Sequence, residues 1–466
     1  MGLGKTLRLL RWAKACGSVI EDKWRQRSST RGGRGVIATK LIKSGELVAA
    51  VHEKCMVSNG TIWETDPETW RAVASLEATP PLRPHAASYW MLTVFVLLHS
   101  GNPSHSRFSD YFGSMSTLED LSSLPLFWSD GELMSELQGT QALGELQDIS
   151  TMVRRDYDLL REVYPVVGQY SVTDYGLAYS FVAMHAFAGP KLIPILDLLN
   201  HDIPVPDERM LGHEAQNNHM DVKGEIEINS SPSYIIFRAR RDYQPGDEIH
   251  WTYHFSGNHV YFKVYGFVLP WIHKLSCLST TSLSLLMSDV PSKEDASTVE
   301  IGKRGWLGLL VGSCLDDKLT KALAFARFWS TPASLAELQG ACGSLVEVTH
   351  GGGDSAVVET FHLHVSCKLV SFEAERGALA ILRRGVVSRA LAMQGPESLE
   401  AEEQLLQSLD PGTRKHKMVT IRRDEKYVLR RVSEYLSNFE SRLNAAGSDW
   451  QEYVAYIGGL YNRTLD

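Results

Sequence analysis

The chain has 466 residues, of which 44% are hydrophobic and 22% are charged. At roughly 150 residues per domain, this length predicts about two or three domains with buried cores. The longest apolar runs, at residues 91–98 and 192–196, are much shorter than the ~20 residues that span a bilayer, so we expect no membrane span. The formal net charge of −8 argues against a general nucleic-acid-binding protein, because such proteins are usually basic.

Charge is unevenly distributed, because residues 1–43 contain eleven Lys or Arg and only two acidic residues. A solvated basic face is one interpretation of this segment, and contact with phosphate or RNA is the alternative. The remainder of the chain is acidic. That charge would suit the approach of a protein substrate that carries lysine.

The six cysteines are scattered, and none forms a C-x-x-C pair. This spacing indicates neither a zinc site nor a disulfide framework, and it is typical of a reducing compartment. His213, His219, His362 and His364 lack cysteine or carboxylate partners at ligand spacing, so we interpret them as structural histidines. The sequence therefore predicts no metal.

The N-terminal region begins with Leu7, Leu10 and Trp12 separated by basic residues, which predicts a short amphipathic helix. An organellar targeting peptide is the alternative interpretation. A glycine-rich loop at residues 31–35 precedes a predicted strand at 36–39, a turn at 43–46 and a second strand at 47–51.

The middle of the chain, from Trp63 to about Leu177, is predicted to be mainly helical. Helices are expected at residues 88–98, 131–137 and 148–163. Residues 192–198 then predict a buried strand, and two further strands are expected at 234–239 and 249–253 with a turn between them. From about Ser276 the periodicity is helical to the end.

Polar residues follow the apolar run at 192–198. The segment Asp197-Leu198-Leu199-Asn200-His201 is followed 52 residues after His201 by Tyr253, and then by Tyr265-Gly266-Phe267. A buried Asn and His must find hydrogen-bond partners, because each unpaired buried polar group costs ~1–3 kcal/mol. A structural pair that closes a strand would meet this need, and so would a ligand site.

The order and spacing of these residues resemble the core of SET-domain protein methyltransferases. The text "GRGVIATKLIKSGELVAAV" resembles the opening hairpin of that domain. The segments "RFSDYFGSM" and "LFWSDGELMSELQGTQAL" resemble the insert of plant Rubisco large-subunit methyltransferase-like proteins, and "SLEAEEQLLQSL" and "TIRRDEKYVLRRV" resemble the helical substrate-binding lobe of the same family. The resemblance extends from about Leu7 to about Val432.

This resemblance implies an α+β fold, in which a β-rich pseudoknotted SET domain with a helical insert is followed by an all-α C-terminal domain. The SET domain would occupy residues 1–275, with the insert at about 63–177, and the substrate-binding domain would occupy residues 276–466. A protein substrate or protein complex would bind the C-terminal domain. The implied location is the cytoplasm or nucleus, with an organelle as the alternative.

The implied activity is S-adenosylmethionine-dependent N-methylation of lysine on a non-histone protein, with histidine as the alternative acceptor. Tyr253 would be the catalytic tyrosine. The substrate would contact Met184, Trp251 and Tyr265. The cofactor would be bound by Gly33, Arg34, Gly35, His185, Asp197, Asn200, His201, Tyr253 and Phe267.

Three positions depart from the family pattern. His185 stands where relatives often have an Arg that meets the cofactor's carboxylate, and Gly32 stands where active relatives commonly have an acid. The S-N-x-E-L segment is replaced at residues 257–261 by a sequence without the acid. Histidine lacks the two-donor fork of arginine and is only partly charged near neutral pH. The alternative function is therefore a catalytically weak or inactive SET-fold scaffold subunit of a larger complex, organellar or RNA-containing.

Overall fold

The computed structural model describes residues 3–28, 34–78, 86–100, 106–115, 117–187, 190–202, 226–230, 233–253, 257–269, 326, 372–446 and 452–453. These residues divide into two units. The first contains the described residues within 1–128, 145–255 and 263–266, and the second contains those within 129–144, 256–262 and 267–466. The predicted domain boundary at residue 275 lies outside the described residues and stays a prediction.

The strands of the first unit form two four-stranded sheets and a two-stranded ribbon. They are β1 (Val19–Ile20), β2 (Trp24–Ser28), β3 (Arg34–Ala38), β4 (Leu47–His52), β5 (Ala186–Phe187), β6 (Lys191–Leu192), β7 (Asn200–His201), β8 (Ile226–Ser230), β9 (Ser233–Arg238) and β10 (Glu248–Trp251). The strand orders are β1-β4-β9-β8 and β2-β3-β10-β7, and β5 pairs with β6. The pairing of β7 with β10 is parallel, whereas β3 is antiparallel to both β2 and β10.

The described helices before residue 186 are α1 (Leu3–Ala15), α2 (Asn59–Thr65), α3 (Pro67–Ala74), α4 (Ala86–Ser100), α5 (Ser109–Ser114), α6 (Asp130–Leu137), α7 (Gln141–Val163) and α8 (Val172–His185). Helix α4 is apolar around much of its circumference, and Trp90, Leu92 and Phe95 on it are all buried. A helix of this kind is stable only inside a core. It packs there against α8.

The second unit contains three long helical segments near the C-terminus: α9 (Phe372–Ala392), α10 (Leu399–Gln407) and α11 (Arg414–Ala446). Helix α11 packs against both α9 and α10. Its buried residues Val428, Val432, Leu436, Phe439 and Leu443 recur every three or four positions, which produces one continuous apolar stripe. Within the described ranges, no helix is long and apolar enough to cross a membrane.

Most of the predicted helices are confirmed. The N-terminal helix is α1, and the helices expected at 88–98, 131–137 and 148–163 correspond to α4, α6 and α7. Helix α1 lies with Leu9 and Ala13 fully buried. The strand expected at 234–239 is β9, and the one expected at 249–253 is β10, which ends two residues earlier.

The predicted hairpin of residues 36–39 and 47–51 is wrong. Strand β3 pairs with β2 and β10, whereas β4 pairs with β1 and β9, so the two strands lie in different sheets. Between them, the main chains of Ile42 and Tyr243 exchange two hydrogen bonds of 3.0 and 2.8 Å. The apolar alternation correctly indicates two strands, but it carries no information about which strands pair.

The predicted buried strand at residues 192–198 is also wrong. Strand β6 ends at Leu192, residues 196–198 form a turn of 3-10 helix, and the next strand is the two-residue β7. Ile195 has a φ of 78°, which is a strained conformation for a β-branched residue. Burial of its side chain, which is 3% exposed, offsets that strain. An apolar run predicts burial but does not distinguish a strand from a buried turn.

Candidate functional site

The site is centred on Asn200 and His201, which form strand β7. His250 and Trp251 of β10 are their partners in the parallel register. His201 is buried at 7% exposure. The Asn200 side chain donates from Nδ2 to Oε1 of Glu248 over 2.7 Å, so its amide is held by a carboxylate of the neighbouring strand.

Tyr253 lies at the end of β10 and is tied to β7 by two hydrogen bonds. Its main-chain N–H donates to Nδ1 of His201 over 3.1 Å. Its phenol donates to the carbonyl oxygen of Leu199 over 2.9 Å. Because these contacts join residues more than 50 positions apart in the chain, they fix the tyrosine ring beside the Asn-His pair.

A row of aromatic rings continues from this point. The ring of Tyr253 lies 5.0 Å from that of His201 and 4.9 Å from that of Tyr265, with interplanar angles of 38° and 35°. Burial, with a smaller contribution from Tyr89, raises the pKa of Tyr265 well above its usual value. Tyr265 is therefore a neutral phenol at physiological pH and can donate a hydrogen bond.

Asp197 is held by Tyr111 of α5, which donates its phenolic hydrogen to the Oδ2 atom. Tyr111 is fully buried. It was not among the predicted site residues, although it belongs to the segment "RFSDYFGSM" that carries the family resemblance. This segment, and not a spacing rule, is the signal that could have identified it.

Glu248 and His250 are two further residues that the sequence analysis missed. Their side chains are 9% and 11% exposed, and His250 Nε2 lies 3.7 Å from Glu248 Oε2. On its other side, His250 Nδ1 lies 3.8 Å from Oδ2 of Asp202. Alternation along β10 places Glu248 and His250 on the same face of the sheet.

Three further predicted residues, His185, Met184 and Trp251, pack against apolar or aromatic side chains of the first unit. His185 ends α8, and its ring is 4.7 Å from that of Phe181. Met184 is half-buried against the core of the first unit. The ring of Trp251 packs 6.4 Å from that of Phe187.

Four predicted cofactor residues remain, of which three belong to the glycine-rich region and one lies just after Tyr265. Gly33 lies outside the described residues. Arg34 and Gly35 are in β3, where they are paired with residues 28 and 27 of β2, and so form a strand and not a loop. Phe267 belongs to the second unit, where its ring stacks 5.3 Å from that of Tyr261. The functional roles assigned to these residues stay predictions.

The oxygen atoms that can accept hydrogen bonds in this site suit the predicted S-adenosylmethionine. The phenol oxygen of Tyr253 and the carbonyl oxygen of Leu199 lie 2.9 Å apart and offer oxygen lone pairs at one point. Oxygen atoms of this kind accept weak C–H···O contacts, and those contacts strengthen when the carbon is polarised by an attached cation. Among the described residues, no cluster of three His, Cys, Asp or Glu side chains is arranged to hold a metal ion.

Comparison with known proteins gives three relevant likenesses at the sequence level. The model of the SET domain family matches residues 33–254. The chloroplastic ribulose-1,5 bisphosphate carboxylase/oxygenase large subunit N-methyltransferase of Nicotiana tabacum is 22% identical over 88% of this chain and 77% of its own length. The N-lysine methyltransferase setd6 of Xenopus tropicalis is 22% identical over 59% of this chain and 60% of its own length.

Solved structures are similar over most of the chain. The SET domain of LSMT bound to lysine and AdoHcy has a TM-score of 0.67 and 16% sequence identity, with coverage of 95% of this chain and 93% of that one. Rubisco LSMT bound to AdoMet has a TM-score of 0.66 over the same shares of the two chains. The likeness confirms the predicted fold class, a β-rich SET region with a helical C-terminal region.

Proposed function

We propose that this chain is an S-adenosylmethionine-dependent protein N-methyltransferase directed at lysine. Its residues 33–254 match the SET domain family, and its fold is similar to that of Rubisco LSMT. The observation that carries the proposal is the junction of β7 with the end of β10. There the Asn200-His201 pair, the Tyr253 phenol and the Leu199 carbonyl oxygen converge. This arrangement supports methyl transfer, because its residues can bind a cofactor and present two oxygen atoms to a reacting carbon.

S-adenosylmethionine, when bound, supplies a methyl group on a positively charged sulfur. Asn200, His201 and Asp197 would hold the cofactor. Tyr253 Oη and the Leu199 carbonyl oxygen would orient the transferring methyl group through C–H···O contacts. Most of the rate enhancement would come from alignment and fixed dipoles, since methyl transfer requires attack in line with the departing sulfur.

Tyr253 and Tyr265 would form one wall of the lysine channel. Their rings, whose centroids lie 4.9 Å apart, would exclude water from one side of an aliphatic side chain. Removal of water disfavours the ammonium form and lowers the pKa of a bound lysine from its usual value of about 10.4. The residues thereby favour the neutral, nucleophilic amine. A histidine acceptor, which is already neutral near pH 7, would use the same channel.

The substrate class proposed here is a non-histone protein. The tobacco relative is named for the Rubisco large subunit, and the Xenopus relative is named an N-lysine methyltransferase. Rubisco LSMT has been solved with monomethyllysine. By the same resemblance, residues 276–466 would bind the protein substrate.

The proposed location is the cytoplasm or nucleus, with an organelle as the alternative suggested by the chloroplastic tobacco relative. Residues of α1 form part of the first unit's core, where Leu9 and Ala13 are fully buried. This packing supports retention of α1 in the working protein, since its removal would expose apolar surface. Microscopy of a C-terminal fluorescent fusion in the native cell distinguishes the two locations.

The test of the proposed function begins with calorimetric titration of the purified full chain with S-adenosylmethionine. Saturable binding is expected, and an absence of heat at millimolar cofactor would contradict the proposal. Incubation with radiolabelled cofactor and cell extract should then label a discrete protein. Acid hydrolysis of that protein, followed by separation of the amino acids, reports methyl-lysine or methyl-histidine directly.

His185 favours a second function, a SET-fold scaffold without turnover. Its imidazole packs beside Phe181 and cannot supply the two-donor fork of an arginine. A scaffold would show no methyl transfer even with every extract protein present, and it would co-purify in stoichiometric amount with a large complex. Size-exclusion chromatography of native extract measures that directly, and elution as a free chain would contradict the scaffold function.

A further inference from the structure

A side chain at residue 35 would collide with the end of the Glu248 side chain. A Cβ atom at Gly35 would lie 2.9 Å from Cδ of Glu248 and 3.1 Å from Nδ2 of Asn200, and it would overlap the Glu248 Oε1 atom. The backbone does not itself require glycine there, because Gly35 is not among the described glycines with positive φ. A larger residue at this position would therefore require the Glu248 carboxylate to move and would disturb its hydrogen bond with Asn200.

Those side chains come from two other strands of the same sheet. Strand β10 lies between β3 and β7, so the Glu248 side chain can contact Gly35 of one neighbouring strand and Asn200 of the other. The Glu248 side chain is 9% exposed. It accepts a 2.7 Å hydrogen bond from Asn200. A carboxylate at this depth is costly unless polar neighbours compensate it, and the Asn200 amide is one such neighbour.

We propose that Glu248 is the positioning residue of the site, which fixes the orientation of the Asn200 carboxamide and imposes glycine at position 35. The proposal rests on the proposed function for its consequence in cofactor binding. When Glu248 accepts from Nδ2, the amide cannot flip without placing its oxygen against a carboxylate. The Oδ1 atom is then fixed as an acceptor at the end of β7. A preorganised acceptor binds a ligand more tightly because its orientation is set before binding.

The contact with Glu248 gives a different reason for glycine at position 35. By resemblance, Gly35 would be small so that a cofactor can approach the backbone. In the structure the space beside Gly35 is taken by Glu248, so this glycine, the last of the segment 31–35, serves a contact within the protein. The two explanations differ in one measurable respect. If Glu248 imposes the glycine, removal of the Glu248 side chain makes an alanine at 35 tolerable.

A double-mutant cycle on thermal stability tests, without cofactor, whether Glu248 imposes glycine at position 35. Melting temperatures are measured for the full chain, Gly35→Ala, Glu248→Ala and the double variant. Gly35→Ala alone is expected to lower the melting temperature by several degrees, and in the Glu248→Ala background the same change is expected to lower it much less. Equal losses in both backgrounds would overturn the steric part of the proposal. Gly113→Ala is the control, because an added methyl there meets nothing within 4 Å.

Calorimetric titration with S-adenosylmethionine tests the positioning part. Glu248→Ala is expected to raise the Kd about tenfold, which corresponds to one hydrogen-bond-scale loss of ~1.4 kcal/mol. Glu248→Gln should recover most of the affinity, because its amide oxygen still accepts from Asn200. An unchanged Kd in Glu248→Ala, or equal losses in the Ala and Gln variants, would refute positioning. If the unmodified chain binds no cofactor, the proposed function fails, while the folding cycle still decides the contact between Glu248 and residue 35.

Discussion

Tyr253 holds its phenol oxygen 2.9 Å from the carbonyl oxygen of Leu199, so removal of that one oxygen atom tests the proposed chemistry directly. In Tyr253→Phe the ring can still pack beside Tyr265, and the main-chain bond to His201 is kept. We expect methyl transfer to fall on the order of 10²-fold, by analogy with the removal of one preorganised catalytic group. Cofactor affinity should change much less. Radiolabel incorporation and calorimetric titration measure the two quantities.

A matched control for this prediction is Tyr234→Phe. Tyr234 also donates its phenol to a main-chain carbonyl oxygen, that of Gly17 at 3.3 Å, but it lies in β9 and away from the Asn-His pair. Loss of its hydroxyl should leave labelling intact. Full labelling by the Tyr253→Phe variant would show that the phenol oxygen has no part in the transfer step.

His185→Arg is expected to tighten cofactor binding. The family resemblance places the methionine carboxylate near this position, and a guanidinium can bind a carboxylate through two parallel hydrogen bonds. A hydrogen bond to a charged group contributes ~1.5–3 kcal/mol, so the Kd for S-adenosylmethionine should fall about tenfold or more. The aliphatic part of arginine can still pack on Phe181, which now contacts the imidazole.

His185→Gln is the comparison variant for that experiment, because it has a similar size and no positive charge. Titrations of both variants at several salt concentrations separate charge from shape, since a charge effect weakens as salt increases. If the Arg variant binds no more tightly than the Gln variant, the carboxylate of the cofactor does not lie at this position.

Some individual residues of the candidate site could be predicted from the sequence. Asn200, His201, Tyr253 and Tyr265 are brought together as their order in the motif suggested. Glu248 was not predicted, because its role depends on strand order. Tyr111 was not predicted either, because it reaches Asp197 across 86 positions of the chain. Contacts between distant segments leave no periodic signal in a single sequence.

Helix α11 contributes Arg422 to a buried ion-pair cluster, and removal of this arginine should destabilise the second unit. Arg422 is 1% exposed, and its Nε and Nη2 atoms donate to the two oxygens of Glu402 over 2.8 and 2.9 Å. Glu402 is 0% exposed. In Arg422→Met, Lys426 would remain as its cationic partner within the described part of the chain. Breaking a buried pair lowers the free energy of unfolding by about 3–5 kcal/mol. We expect a loss near ~3 kcal/mol, because Lys426 still pairs with Glu402.

Urea unfolding monitored by circular dichroism measures this loss. The control is Arg430→Met on the same helix, because Arg430 pairs with Glu400 while 47% and 66% of the two side chains are exposed. Exposed pairs of this kind contribute less than about 1 kcal/mol. Equal losses for the two variants would mean that burial of the Arg422 cluster adds nothing to stability.

Elements differ in how much of them the sequence could specify. Helices α7 and α11 carry their own periodicity, whereas α4 is a continuous apolar run. Both α4 and α7 were predicted at nearly the observed positions. Strand β7 has two residues, so no alternation exists to be read. The turn at Ile195 was also beyond prediction, because a positive φ at a β-branched residue arises from packing and opposes local preference.

The charge of the whole molecule bears on the choice between a protein substrate and nucleic acid. In the described part of basic residues 1–43, Lys23 forms an ion pair with Glu46, Lys40 with Asp22, and Lys43 with Asp242. Part of the basic charge is thus compensated by nearby carboxylates. This favours a solvated basic face, and contact with RNA stays the alternative prediction.

Protonation of Asp424 should contribute to the pH dependence of the free energy of unfolding. Burial raises the pKa of Asp424 to about 6, against the lowering effects of the neighbouring Arg423 and Asn258. Its carboxylate accepts a 2.6 Å hydrogen bond from Asn258, which also bonds both main-chain polar atoms of Leu269. In the unfolded chain the pKa of an aspartate is about 3.9. Between these two values, the folded state binds the proton more tightly than the unfolded state.

The contribution of Asp424 to the free energy of unfolding is therefore largest below pH ~4 and is lost as the pH rises through about 6. Asp424→Asn removes this titration and keeps the shape. We expect the chain to gain stability relative to this variant as the pH falls from ~7 to ~4, whereas the exposed Asp410→Asn control should run parallel to the unmodified chain. Urea midpoints at a series of pH values measure the difference. Parallel curves for Asp424→Asn would show that the buried carboxylate keeps an ordinary pKa in the folded protein.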